Sequence, residues 1–212
     1  MGSKMLTGSM LVFGPLLGII MLFVEPGGTD EDKFAVAAQK MLDNSTLASL
    51  SGVGFTVAIL AVTIGTAYLA RSMQGEQKPG SDVAGLASVL ALLSAAVIIV
   101  SSGLQMAILA PTWADKGGDI TTALAIGDAI GGTTFLLMGG AALLLGIAIF
   151  RQKNLNHIAG AVTGLFGALL FGGWIIPGSN DVLGMIGFIG FLGWPIMTIV
   201  LGILTIRQAR SE

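Results

Sequence analysis

The chain has no cysteine and a single histidine, His157, and only 10% of its 212 residues are charged. Without cysteine it has no disulfides, thiolate metal sites, iron–sulfur clusters or cysteine nucleophiles. One histidine excludes a multi-histidine metal or haem site within one chain. The shortage of charge excludes more. A soluble domain carries about a quarter charged residues to cover its surface, and this chain falls short by more than half. A net charge of -2 gives no electrostatic footprint for nucleic acid. In place of charge the chain has 54% hydrophobic residues, 32 glycines and a mean hydropathy of +0.89. These values describe one integral membrane domain, with the lipid bilayer as its surroundings and a cell membrane as its location. Glycine without a collagen-like period suits close helix packing in lipid.

Apolar runs divide the chain into six spans, at about 5–24, 47–70, 83–110, 120–150, 158–176 and 182–206. The expected fold is an all-α, polytopic bundle of six transmembrane helices plus a short amphipathic helix. Pro26-Gly27-Gly28, the run QGEQKPGSD, Lys116 to Asp119, the basic turn RQKNLNH and Pro177 to Asp181 break the runs. Pro15 and Pro195 fall inside the first and last spans and are expected to bend them. Between the first two spans, Thr29 and Asp32 read as a helix start. Phe34, Ala37, Ala38, Met41 and Leu42 then recur at helical spacing opposite Asp32, Lys40 and Asp43. That pattern predicts a helix on the membrane surface, either a lid over the span ends or a docking surface. Lys4, Arg71, Lys78, Arg151, Lys153, Arg207 and Arg210 fall on one side, and Lys33, Lys40 and Lys116 on the other. By the excess of positive charge on cytoplasmic loops, both termini are expected to be cytoplasmic.

The fourth span contains the one acid of the apolar region. After Asp128, the stretch Ala129 to Phe150 has no charge and as a helix would cover ~33 Å. Asp128 shares a helical face with Gly132, Gly139 and Gly146, so it is expected to point into protein. The third span carries Ala87, Ser94 and Ser101 at seven-residue spacing, with Gln105 beyond. Folded as an antiparallel hairpin, the two spans would pair Gln105 with Asp128, Ser101 with Gly132, Ser94 with Gly139 and Ala87 with Gly146. Such a seam of small residues lets backbones approach. Gly160, Gly164 and Gly167 form a second seam on the fifth span. Gly184, Gly187, Gly190 and Gly193 spread around the sixth.

Chemical motifs are few. Ala125-Ile126-Gly127-Asp128 resembles the glycine-any-glycine-aspartate motif of intramembrane aspartyl proteases. Ala125 replaces its first glycine, and no other span supplies the second aspartate that shared-proton chemistry needs. His157 lies in the basic turn, far in depth from Ser94 and Ser101, so serine proteolysis has no base. FRQKNLNHIAGAVTGLFGALL resembles the start of the fifth span in uncharacterised six-pass prokaryotic membrane families, domains of unknown function. That resemblance implies six spans and no activity. No catalytic residue, metal ligand or cofactor is expected. Two functions follow: an accessory or stabilising subunit that associates with other membrane proteins through its helices, or a small-solute transporter or substrate-binding transport subunit. The second would use an outward polar pocket around Asp128, Gln105 and Thr121.

Overall fold

The computed structural model describes residues 4–26, 33–110, 113, 115–175 and 181–211. Seven helices are described: α1 (Lys4–Val24), α2 (Phe34–Asp43), α3 (Ser45–Ser72), α4 (Ser81–Ile108), α5 (Ile120–Gln152), α6 (His157–Ile175) and α7 (Asp181–Arg210). All except α2 are long and apolar enough to cross a bilayer. A helix satisfies every backbone donor and acceptor within itself, which hydrocarbon requires. The helix ends follow local chemistry. The Asp119 carboxylate accepts from the Thr121 amide at 2.9 Å at the start of α5. The Asn156 side chain accepts from the Ile158 and Ala159 amides at the start of α6. Lys153, in the left-handed conformation, ends α5 with its N–H on the Ile149 carbonyl.

The spans form a closed ring. α1 packs on α3, α3 on α4, α4 on α5, α5 on α6, α6 on α7, and α7 returns to α1. Each neighbouring pair is antiparallel, so Arg71, Lys78, Arg151, Arg207 and Lys4 gather at one end, hereafter the basic end. Glu25, Asp115 and Asp119 lie at the other, the acidic end. α1 and α7 run on through Pro15 and Pro195. Large side chains such as Phe13, Ile20, Leu86, Leu93 and Ile196 are exposed around the outside, where the acyl chains would lie.

α2 follows the expected amphipathic pattern but adjoins α3 across Asn44 alone. Its buried Ala38 and Met41 join Ala48, Ile108, Ala123 and Leu124 in an apolar cluster. The helix therefore covers the acidic-end tips of α3, α4 and α5, while Phe34 and Leu42 stay exposed. Thr29 and Asp32, read from sequence as its start, lie outside the described residues.

The seams differ in detail from the hairpin expected between the third and fourth spans. α4 and α5 do pack, and Ser94 and Ser101 are buried between them. Their partners are displaced by five residues along α5. Ser94 Oγ donates to the Thr134 carbonyl at 3.1 Å, and Ser101 Oγ to the Gly127 carbonyl at 2.7 Å. Gly132, Gly139 and Gly146 turn instead to α6. A Cβ on Gly139 would lie 2.6 Å from the Phe171 nitrogen. One on Gly146 would collide with the Gly164 backbone, and one on Gly167 with the Leu143 nitrogen. The two glycine seams read from sequence thus meet each other, because only glycine on both helices lets the backbones touch. The α4–α5 seam tolerates side chains and is held by hydroxyl-to-carbonyl hydrogen bonds.

Candidate functional site

The residues expected to form a polar pocket do not come together as one. Asp128 is exposed, near the acidic end of α5 and beyond the end of α6. Gln105 packs its Cγ against Gly127, 3.2 Å from where a Cβ would stand. The Thr121 amide is committed to Asp119. Among the described residues no hydrogen bond joins Gln105 to Asp128 or either to Thr121. The fifth-span face of Asp128 carries Gly132, as the sequence spacing implied, but α6 stops near Trp174, which packs on Gly132. Asp128 therefore remains in the open.

Asp128 instead bears on Glu25, at the end of α1 and on the far side of the ring. The Glu25 carboxyl is pushed above the usual carboxylate range, first by the protein atoms packed around it and then by the negative charge of Asp128. Part of its side chain still reaches solvent. Asp119 shifts the other way: the Thr122 hydroxyl and the Thr121 and Thr122 amides stabilise its anion. His157, exposed in the basic-end turn, is remote from all of these.

Polar groups converge in the middle of the ring. A chamber of about 20 Å3 is lined by residues of all six spans, room for about one water molecule. Its hydroxyls are Thr63 and Thr66 of α3, Thr163 of α6 and Thr198 of α7. The space exists because α4 and α5 present Ala91, Ala141 and Ala142 there. Leu11, Met138, Leu145, Trp194 and Leu201 supply the apolar remainder. Among the described residues, none that lines the chamber is ionisable.

The helix backbone fixes what these hydroxyls can do. Thr163 Oγ1 donates to the Ala159 carbonyl at 2.7 Å, and Thr198 Oγ1 to the Trp194 carbonyl at 2.9 Å. Thr63 Oγ1 shares its hydrogen between the Ile59 and Leu60 carbonyls. A carbonyl has no proton to give, so the hydroxyl hydrogen is spent in each case and only lone pairs remain. Thr66 makes no hydrogen bond within the described protein. Pro15 in addition has no N–H for the carbonyl of Leu11, four residues earlier on the chamber wall.

The sequence spacing had not singled out Thr163 or Thr198. The available signal was isolation: Thr163 is the only hydroxyl residue in α6. No protein-family model, curated protein or solved structure matches this chain.

Proposed function

We propose that this protein carries a small solute across the membrane through the centre of its ring. The supporting observation is the chamber on which all six spans converge, polar at its threonines and otherwise apolar. A polar cavity within a membrane domain is costly to maintain unless it is used. The site proposed from sequence, around Asp128 and Gln105, lies apart from this chamber, whose lining includes neither residue.

The accessory-subunit reading rests on the lack of catalytic motifs and on glycine on more faces than one six-helix bundle needs. Gly187 and Gly190 of α7 are used against the α6 backbone, and Gly8 and Gly202 bring α1 and α7 together. Among the described glycines, Gly103, Gly117, Gly172 and Gly184 have open space where a side chain would go, three of them within spans, which is a thin basis for a partner surface.

The test is flux into liposomes reconstituted with the purified protein, for a panel of water, ammonia, urea, glycerol, sodium and potassium. Ala91→Leu fills the chamber and Ala142→Val is a smaller filling, each checked for folding by thermal unfolding. At least one panel solute should cross faster than in empty vesicles and slow several-fold in both variants. If neither variant changes the rate of any solute, the proposal is wrong.

A further inference from the structure

We infer that the chamber selects an uncharged solute of about water size that donates more hydrogen bonds than it accepts, and that ammonia fits it better than water. This rests on the transport reading and deepens it.

Size comes first. A chamber of about 20 Å3 holds one small molecule and nothing of the bulk of a sugar or amino acid.

Charge comes second. No lining residue among those described is ionisable, so a bare ion would be stripped of water without a counter-charge. That is prohibitive at the centre of a bilayer. The acids at Glu25 and Asp128 lie at the acidic end and cannot serve that role in the chamber.

Hydrogen-bond polarity comes third. Thr63, Thr163 and Thr198 have each given their hydrogen to a helix carbonyl and can only accept. Thr66, without a protein partner, can donate one hydrogen bond. Three acceptors and one donor match the three N–H bonds and single lone pair of ammonia. Water, with two donors and two acceptors, leaves one chamber acceptor unused and one of its own lone pairs unmet. Each threonine oxygen keeps its helix carbonyl and a buried water is satisfied by about three hydrogen bonds, so the discrimination is the one further hydrogen bond that ammonia makes.

The test uses the full chain in liposomes holding a pH-sensitive dye, pulsed with ammonium chloride. Entry of ammonia raises the internal pH. The wild-type rate should exceed that of empty vesicles. At fixed total ammonium it should rise about tenfold per pH unit, as the neutral fraction does well below the pKa of ammonium. Thr163→Val and Thr198→Val keep side-chain shape and remove one acceptor each. Each should slow ammonia at least several-fold and slow water, measured by osmotic shrinkage, less. A pH-independent ammonium flux, or a potassium flux abolished by the same valines, would overturn the inference. If Ala91→Leu blocks another panel solute while ammonia entry is unchanged, the selectivity is wrong and the transport reading survives. If Ala91→Leu and Ala142→Val alter no solute at all, both are wrong.

Discussion

Single hydroxyls decide much of how this chain holds together in lipid, and they do so in opposite directions. Ser101 is buried and donates to the Gly127 carbonyl across the α4–α5 seam. Thr134, also fully buried on that seam, has a hydroxyl with no partner among the described residues. Measured hydrogen bonds between membrane helices are worth about 0.6 to 1.7 kcal/mol. Ser101→Ala should therefore lower stability by about 1 kcal/mol. Thr134→Val, which swaps an unmet hydroxyl for a methyl of the same shape, should raise it by a similar amount, about 1 kcal/mol. Thermal unfolding in one detergent, followed for both variants beside the wild type, reads the two signs directly. Equal losses would mean that the Thr134 hydroxyl finds a partner, such as a buried water. Each is half of a hydroxyl pair, Ser101-Ser102 and Thr133-Thr134, and the sequence does not say which of them meets a carbonyl; only the position of the facing backbone does.

Between elements, the chain uses two kinds of seam. α5 meets α6 backbone to backbone through glycine on both sides. It meets α4 through serine hydroxyls aimed at carbonyls. Gly146→Ala should be the severe substitution, because its Cβ would run into Gly164 backbone that cannot move aside. Overpacking of this sort costs about 1 to 3 kcal/mol. Gly103→Ala on α4, where a Cβ meets nothing within 4 Å, should be neutral or gain slightly from better helix propensity. Denaturant-induced unfolding of the two variants compares them, and equal effects would contradict the seam assignment. The six spans were legible in the sequence because twenty apolar residues in a row have one structural meaning. The seam partners were not. Gly132, Gly139 and Gly146 would suit either neighbour of α5, and periodicity identifies a face without saying which helix covers it. Asp128 was misplaced for a related reason. Its face was read correctly, but periodicity does not say how far along that face a neighbouring helix packs; the described α6 contact reaches Gly132.

At the scale of the molecule, the chamber was the least legible feature, since each span contributes one to four residues and no local motif marks them. It exists only because the ring closes, with α1 returning to α7. The absence of cysteine makes that closure easy to test in a background with no native thiols. A Cβ at Gly202 would stand 3.0 Å from the Leu11 Cβ, close to the separation of about 3.5 to 4.5 Å that a disulfide needs. It would also press on the Gly8 carbonyl oxygen at 2.7 Å, so Gly202→Cys alone, shown to fold by thermal unfolding, is the control. Leu11→Cys combined with Gly202→Cys should therefore cross-link within one molecule on mild oxidation, seen as a reductant-sensitive mobility change at unchanged monomer mass. Failure to cross-link, or cross-linking only between molecules, would mean that the first and last spans do not close the ring around a central chamber.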